Sequence, residues 1–244
     1  MKRLGLVGFG QFGRLAAASL RTRFDLVVTD PAPAAAAAAR ALGAPFGTLA
    51  EAAGCDVVVV AAPVTAMREV FTAMAPHVKP GALVVDVGSV KMAPARWMSD
   101  ILPAHAELVA THPLFGPQSA RNGLAGLRLV VCPVRGRRYR QVAAFGRLLG
   151  LKVTVTSPEE HDREMAYVQA LTHLIGRSLV NMGIPDEQLK TPSYQHLLEL
   201  CALIGADTFE LFTAIQTQNP FAREVATAFV DQARSLLSQV DPGG

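Results

Sequence analysis

The sequence predicts an α/β fold, with a doubly wound, parallel sheet over residues 1–157 and an all-helical domain over residues 158–244. Up to Ser157-Pro158, short apolar runs alternate with helix-like stretches, which is the pattern of a parallel sheet with crossover helices. After this pair, apolar residues recur at helical spacing only. We therefore place the domain boundary at Ser157.

Length and composition favour a folded protein without a nucleic-acid partner. Of the 244 residues, 50% are hydrophobic and 18% are charged, which argues against disorder and leaves room for two domains. A formal net charge of +3 is too weak to indicate nucleic acid. We interpret the basic cluster at residues 135–140 as a solvated connection rather than a polyanion site.

Cysteine usage and hydropathy favour the cytoplasm. Cys55, Cys132 and Cys201 are widely spaced and form no CxxC pair, so neither a disulfide framework nor a zinc site is expected. The chain enters a strand directly after Met1 without a signal-peptide pattern. Its longest apolar stretch, residues 57–64, is shorter than the roughly 18 residues that a membrane span needs.

The first strand leads into a glycine-rich turn with the pattern G-x-G-x-x-G. Gly8 allows a tight turn, Gly10 lets the backbone approach a pyrophosphate, and Gly13 lets helix and strand pack closely. The amides around Gln11 and Phe12, at the helix start, are suited to bind phosphates. In this strand–turn–helix context, the pattern predicts a dinucleotide-binding Rossmann domain.

An acidic residue follows the second strand. Residues 25–29 form that strand, and Asp30 lies 22 positions after Gly8. A carboxylate there accepts hydrogen bonds from a ribose and repels a 2′-phosphate, which favours NAD while leaving NADP open. The alternative is that Asp30 only opens a turn before Pro31.

The βα alternation continues through five more apolar runs. The run over residues 56–62 is too uniformly apolar for a one-sided sheet and is expected to be a central parallel strand. Ala62 and Pro63, at its end, are predicted to contact the cofactor. The alanine run over residues 34–39 is expected to be helical and to stop at Gly43. The remaining strands are predicted at residues 82–85, 107–111, 127–132 and 152–156.

Ser89 and His112 are the candidate catalytic residues. Each is expected just beyond the carboxyl end of its strand, at the edge where open α/β sheets bind ligands and where a nicotinamide should lie. Histidine is the side chain that exchanges a proton most readily near neutral pH. The alternative is a capped strand whose histidine bonds to a nearby carbonyl.

The second half of the chain is predicted to consist of helices. On a long helix over residues 159–181, Gln169, Thr172 and His173 form a polar strip, which is costly in a core unless it meets partners or a cavity. A satisfied core histidine is the alternative for His173. Further helices are expected at residues 193–204, 208–218 and 221–238. Asp207 has the spacing of a capping box with Glu210, so it could simply start a helix.

These residues together give the chain a resemblance to the prephenate/arogenate dehydrogenases of tyrosine biosynthesis, and most closely to the plant-type arogenate dehydrogenases. The resemblance covers nearly the whole chain. In that family, the histidine matching His112 hydrogen-bonds the substrate hydroxyl, the serine matching Ser89 assists it, and residues matching Thr172 and His173 line the substrate side. It also implies a homodimer formed through the helical domain. The motifs that carry it are Gly8–Gly13, Asp86–Lys91, Thr111–Pro117, Asn122–Gly123, Glu160–Asp162, Leu171–Arg177 and Asp207–Leu211.

Two departures from the family pattern bear on substrate and cofactor. The segment over residues 210–218 lacks the carboxylate-binding Arg of many microbial members, as in the plant-type branch, which leaves Arg121 as the best basic candidate near His112. Thr29-Asp30 replaces the Ser-Arg pair of the plant-type enzymes, which favours NAD.

The resemblance also bears on the small-molecule substrate. Thr111 and Gln169 are further predicted substrate contacts. Asp207 aligns with an acid that accompanies arogenate preference, so arogenate is favoured over prephenate. Inhibition by tyrosine would have to occur within the active cleft.

Two other functions are weighed against this one. Other two-domain β-hydroxyacid or imine-type dehydrogenases usually place a catalytic Lys on the long helix after the nucleotide domain, and residues 159–181 contain no Lys. A non-catalytic NAD-sensing module would leave the polar strip unexplained.

Overall fold

The computed structural model describes residues 1–240. The chain divides into two compact units, the first from Met1 to His161 and the second from Asp162 onward. No helix among the described residues is both long enough and apolar enough to cross a membrane.

The first unit is built on a seven-stranded sheet with the order β2-β1-β3-β4-β5-β6-β7. All neighbouring strands are parallel except β5 and β6, which are antiparallel. This confirms the predicted α/β class and corrects the prediction of a wholly parallel sheet. The strands are β1 Arg3–Val7, β2 Asp25–Thr29, β3 Val57–Val60, β4 Leu83–Asp86, β5 Glu107–Pro113, β6 Arg128–Arg135 and β7 Lys152–Val155.

The antiparallel pair has a simple physical reason. Residues 114–127, between the two strands, form turns and no helix, whereas a parallel return needs a crossover connection that usually contains a helix. As a consequence β5 does not stop at the predicted residue 111. His112 pairs with Val130, and Pro113 pairs with Leu129. His112 therefore lies within β5, one residue before its carboxyl end, and its backbone is paired there with β6.

Six helices flank this sheet, and their positions agree with the predicted βα alternation. They are α1 Gln11–Leu20, α2 Ala35–Ala41, α3 Leu49–Ala53, α4 Val64–Met74, α5 Met92–Ile101 and α6 Tyr139–Leu148. The alanine run is helical and ends before Gly43, which has φ +71°. Thr48 and Glu51 form a capping box that starts α3.

The central strands are covered on both faces, as their uniform apolar character predicts. Val58 and Val60 of β3 are fully buried. Val59 belongs to a core cluster with Ala17 of α1 and Ala143 of α6. Burial of this kind contributes about 1.5–3 kcal/mol for each large apolar side chain.

The second unit is helical throughout its described residues. Its elements are the end of α7 Pro158–Met165, a π-helical segment Ala166–Leu171, α8 Thr172–Met182, α9 Pro192–Gly205, α10 Phe209–Gln218 and α11 Ala222–Val240. The predicted long helix thus contains a π-helical segment that its periodicity did not indicate. Gly176 lets α8 approach α9 closely, because a Cβ at that position would lie 2.7 Å from Cγ1 of Ile204.

Candidate active site

The glycine-rich turn between β1 and α1 has the geometry of a phosphate cradle. Gly8 has φ +102°, and a Cβ on Gly13 would lie 2.2 Å from the carbonyl oxygen of Gly8. A Cβ on Gly10, by contrast, would have no neighbour within 4 Å. Gly10 is also the N-cap of α1, without a side-chain cap and without an acid in the first turn. The open backbone and the helix N-terminus therefore fit the pyrophosphate of a dinucleotide.

The other predicted cofactor residues surround this turn. Gln11 and Phe12 are the first two residues of α1. Ala62 and Pro63 follow β3, and the backbone of Ala61 and Ala62 lies against Gly8, where a Cβ would be 2.6–2.8 Å away from it. The turn and the end of β3 are thus brought together at the carboxyl edge of the sheet.

Asp30 holds both the glycine turn and its own turn. One carboxylate oxygen accepts the N–H of Phe9 at 2.6 Å, and the other accepts the N–H of Ala32 at 2.8 Å. Asp30 therefore does open a turn before Pro31, and it also fixes the glycine-rich turn from the end of β2. Both roles leave lone pairs on the carboxylate for a ribose hydroxyl.

His112 is buried and hydrogen-bonded to a second histidine. Its Nδ1 lies 2.9 Å from Nε2 of His161, and the two rings meet edge to face at 66°. His161 stands on α7 and is 2% exposed, while His112 is 6% exposed. One of these nitrogens must donate and the other accept, so both rings are neutral or share a single extra proton.

A buried ion pair lies close enough to these rings for Lys91 to act on His112, and His161 on Asp86, electrostatically. The ammonium of Lys91 contacts the carboxylate of Asp86, and both side chains are fully buried. Lys91 also donates to the carbonyl of Thr111 at 2.6 Å, and the hydroxyl of Thr111 donates to the carbonyl of Asp86 at 2.6 Å. These bonds tie the end of β4 to the residue that precedes His112.

The hydroxyl of Ser89 is buried and has no hydrogen-bond partner within the described chain. It lies in the short connection between Asp86 and Lys91, at the carboxyl end of β4. A buried hydroxyl without a partner is costly, so the site has an open donor and acceptor for a bound molecule.

The surroundings of His112 disfavour its charged form. Burial lowers the pKa of His112 well below its ordinary value of 6.5, and the nearby His161 and Lys91 lower it further. Burial raises the pKa of Asp86, while Lys91 opposes that rise. At neutral pH, His112 is therefore a neutral imidazole that can accept a proton.

The helical unit contains a group of buried polar side-chain atoms that lack hydrogen-bond partners. Gln169 Oε1, His173 Nδ1 and Arg177 Nε are all buried without a hydrogen-bond partner among the described residues. They follow one another at intervals of four residues from the π-helical segment into α8, with Thr172 half-buried beside them. Such a strip is expensive in a core, so it fits a surface that receives a polar ligand.

Asp207 is not the helix cap that its spacing suggests. The side chain of Thr208 accepts the N–H of Leu211 and caps α10. The carboxylate of Asp207 instead lies 3.9 Å from Nε2 of His173. Arg177 holds the carbonyl of Asp207 at 2.7 Å. Burial raises the pKa of Asp207, although His173 and Arg177 oppose the rise, and burial also lowers the pKa of His173.

The surroundings of two predicted substrate residues, Arg121 and Thr111, give no specific indication of a substrate contact. Arg121 lies on the exposed turn that follows β5, and within residues 1–240 its side chain forms no ion pair or hydrogen bond. The hydroxyl of Thr111 is engaged with Asp86, so its contact is with the sheet.

Several residues of the site were missed in the sequence. The family motifs contain four of them, namely His161, Lys91, Asp86 and Arg177. The spacing of His112 and His161 along the chain, however, gives no sign that their side chains are hydrogen-bonded. The uninterrupted apolar surroundings of Asp86 were a usable signal, because a carboxylate at the end of a buried strand needs a partner.

Comparison with known proteins agrees with both units. The family model described as prephenate dehydrogenase, nucleotide-binding domain, matches residues 16–157. The model described as prephenate dehydrogenase, dimerization domain, matches residues 157–241. A solved prephenate dehydrogenase from Aquifex aeolicus, in complex with hydroxyphenyl propionate and NAD+, shares the fold with a TM-score of 0.79 at 21% identity, over 98% of this chain and 91% of that one. A Synechocystis arogenate dehydrogenase has a TM-score of 0.69 at 22% identity, over 97% and 90%.

Curated relatives agree with the family models. Arogenate dehydrogenase 2 of Arabidopsis thaliana, a chloroplastic protein, is 30% identical over 91% of this chain and 65% of its own length. A probable arogenate/prephenate dehydrogenase of Methanocaldococcus jannaschii is 29% identical over 74% of this chain and 43% of its own. The matches therefore span less than two thirds of these relatives. The two family models nevertheless cover nearly all of the chain, which belongs to the prephenate dehydrogenase family.

Proposed function

We propose that the chain catalyses the oxidative decarboxylation of a cyclohexadienol, with hydride transfer to a nicotinamide cofactor. Arogenate, which yields tyrosine, is the preferred substrate, and prephenate, which yields 4-hydroxyphenylpyruvate, is the alternative. The observation that carries the proposal is a buried, neutral His112 near the carboxyl end of β5, together with the unpartnered hydroxyl of Ser89 just after the neighbouring strand β4, both at the carboxyl edge of a dinucleotide-binding sheet.

In this mechanism His112 accepts the proton of the substrate hydroxyl through Nε2. That assignment requires a hydrogen on Nδ1, which is donated to Nε2 of His161 at 2.9 Å. Ser89 orients the hydroxyl group or bridges it to the imidazole. Positioned general-base help of this kind is typically worth about 10²–10⁴-fold in rate.

The cofactor supplies the hydride acceptor when it is bound. The protein contributes the phosphate cradle at Gly8–Gly13 and the alignment of the substrate carbinol with the cofactor. As hydride leaves the carbinol carbon and His112 takes the proton, the ring loses carbon dioxide and becomes aromatic. Aromatisation makes the whole step strongly downhill.

Arogenate preference rests on Asp207. Arogenate carries an ammonium where prephenate carries a ketone, and a partly desolvated carboxylate favours the first. Asp207 is free of the capping role, because Thr208 performs it. In this proposal Gln169, Thr172 and His173 contact the substrate, and Arg121 is the candidate for a substrate carboxylate.

NAD is proposed as the preferred cofactor. Asp30 carries two hydrogen bonds from backbone N–H groups and keeps a negative charge at the end of β2. That charge suits a ribose hydroxyl and repels the 2′-phosphate of NADP.

A homodimer through the helical domain is also proposed. Several large apolar side chains of this unit are exposed, which is typical of a surface covered by a partner. They include Leu203, Phe209, Leu236, Leu237 and Val240. The functional division between the two domains is placed at Ser157, which the meeting point of the two family models supports. Three free cysteines support a reducing compartment such as the cytoplasm.

The test is a matrix of steady-state rates with arogenate and prephenate, each supplied with NAD and with NADP. Formation of reduced cofactor is followed by absorbance. We expect the highest kcat/KM for arogenate with NAD, and inhibition by tyrosine competitive with the substrate. Absence of turnover in all four combinations contradicts the proposal.

A further inference from the structure

Four titratable side chains form one buried cluster in the nucleotide-binding unit. Asp86 and Lys91 are 0% exposed, His161 is 2% exposed and His112 is 6% exposed. The proposed reaction uses His112 as the base and His161 as its hydrogen-bond partner. It gives no role to the ion pair between Asp86 and Lys91, although this pair is the most deeply buried charge in the site.

A buried ion pair is a costly way to stabilise a fold. Apolar residues of similar volume usually serve stability as well or better, because both charges must be taken out of water. The ion pair therefore calls for a reason other than stability.

Its hydrogen bonds lie next to both candidate catalytic residues. Lys91 holds the carbonyl of Thr111, which is bonded directly to His112. Asp86 accepts the N–H of Gly88 at 2.8 Å, and Gly88 precedes Ser89. The ion pair thus fixes the backbone on both sides of the base and its neighbouring hydroxyl.

Its charges also balance. His161 from α7 and Lys91 from the N-cap of α5 act on His112 electrostatically, and Asp86 from the end of β4 interacts in turn with Lys91 and His161. With Asp86 negative, Lys91 positive and both imidazoles neutral, the cluster has no net charge. Loss of either member of the ion pair leaves one uncompensated charge beside the histidines, in a region where charge is weakly screened.

We propose that Lys91 is a positioning residue for His112, whose ammonium holds the backbone before the base and, by neutralising Asp86, keeps the imidazole pair free of an extra proton at neutral pH. This inference deepens the proposed function and rests on it for the role of His112. It assigns Lys91 no contact with substrate.

Substitutions of the two charges should act in opposite directions. Lys91→Met removes the positive charge that lowers the pKa of His112 and leaves Asp86 without its partner, so the histidine pair should gain a proton more easily and titrate about one to three pH units higher. Asp86→Asn leaves Lys91 positive and should move the titration lower, while its amide oxygen can still accept the Gly88 N–H. The double variant restores neutrality and should return the midpoint to between those of the single variants. A merely structural ion pair predicts the same direction for both single variants.

The measurement is an NMR titration of histidine ring nitrogens in isotopically labelled protein, with assignment by His112→Asn and His161→Gln. Lys79→Met and Asp56→Asn are matched controls, because those residues form an ion pair on the surface of the same unit at 2.6 Å. The controls should leave the His112 titration unchanged. Opposite shifts in the two buried variants support the proposal, and equal or absent shifts overturn it.

Two further readouts separate this inference from the proposed function. Circular dichroism and thermal unfolding show whether each variant is folded, and the double variant supplies a folded comparison if Lys91→Met alone is unstable. Its titration is then compared with that of Asp86→Asn, and a midpoint no higher in the double variant overturns the proposal. Titration does not depend on turnover, so opposite shifts in a protein inactive on both substrates would uphold the charge balance and refute the proposed function. An active wild-type protein whose variants lack those shifts would uphold the proposed function and refute the charge balance.

Discussion

The hydrogen bond between Nδ1 of His112 and Nε2 of His161 makes the direction of that bond decide which nitrogen of His112 can receive a proton. If Nδ1 of His112 donates to Nε2 of His161, only Nε2 of His112 is free to act as a base. Sequence reasoning identified His112 from its place at a strand end, but it could not find His161. That residue lies 49 positions away on another element, and only the fold brings the two rings together.

Replacement of His161 tests its part in this arrangement. His161→Leu removes the acceptor and leaves the buried Nδ1–H of His112 unpaired, which costs about 1–3 kcal/mol. We expect kcat to fall about tenfold or more with a smaller change in KM, and His161→Gln to recover part of the loss. His105→Leu is the control, because His105 bonds only the carbonyl of Val78 at 2.9 Å, away from the site. Unchanged kcat in His161→Leu would refute the role.

Replacement of Asp207 tests substrate preference. Asp207→Asn removes the charge proposed to bind the ammonium of arogenate, so the ratio of kcat/KM for arogenate over prephenate should fall about 10- to 100-fold. Glu210→Gln, an exposed acid in the first turn of α10, is the matched control. A ratio that stays constant in Asp207→Asn would remove this residue from substrate recognition.

At the scale of elements, the π-helical segment Ala166–Leu171 is the feature that periodicity did not reveal. Within this segment the carbonyl of Ala170 accepts a hydrogen bond from the side-chain amide of Gln216 of α10, at 2.8 Å. π-Helical segments occur frequently at functional sites, and this one carries Gln169. The hydrogen bond to the carbonyl of Ala170 comes from a side chain on a different helix. A local pattern in residues 166–171 therefore could not indicate the π-helical segment.

Removal of the Gln216 side-chain bond should weaken the helical unit. Gln216→Leu leaves the buried carbonyl of Ala170 without this donor, and we expect the free energy of unfolding to fall by about 1–3 kcal/mol. Urea unfolding followed by circular dichroism measures the change. Gln218→Leu on the same helix, whose side chain makes no hydrogen bond among the described residues, should change stability by about 0.5 kcal/mol or less. Equal effects of the two variants would show that the bond contributes nothing specific.

The strand pair β5–β6 shows a second limit of sequence reasoning. Apolar runs located both strands, but direction depends on the connection, and residues 114–127 form turns where a parallel return would need a crossover. The antiparallel pairing extends β5 through Pro113 and so places His112 within a hydrogen-bonded ladder. The base is therefore held by the sheet and not by a loop.

At the scale of the whole molecule, burial of His112 couples stability to pH. Its folded-state pKa lies below the ordinary value of 6.5, so the unfolded chain binds a proton that the folded chain does not as pH falls below 6.5. The free energy of unfolding should therefore decrease on acidification, by up to about 1.4 kcal/mol per pH unit for this one group. As pH rises above 6.5, the contribution of this group to the pH dependence fades toward zero.

Urea unfolding between about pH 7 and pH 5 checks this prediction. His112→Gln should show a flatter decrease than the wild type over that interval. His173, whose pKa is also lowered by burial, contributes in the same direction in both proteins and drops out of the comparison. Parallel curves for the two proteins would show that His112 is not held neutral by the fold.

The fold as a whole was largely predictable because it rests on local signals. Apolar runs, the glycine turn and the change to helical spacing after Ser157 predict the sheet and the helices that follow it. The candidate site was predictable only where a residue lies near the carboxyl end of a strand, as Ser89 does just after β4 and His112 does within the last residues of β5. The buried ion pair, the second histidine and the true cap of α10 depend on contacts between elements, which a single sequence does not display.

The most direct test of the central claim is the turnover of His112→Asn. With its best substrate and NAD, we expect kcat to fall by at least about 100-fold, while the dissociation constant for the cofactor, measured by fluorescence titration, stays within about twofold of wild type. Near-normal turnover in this variant would contradict the account, because the hydroxyl proton would then be accepted without His112.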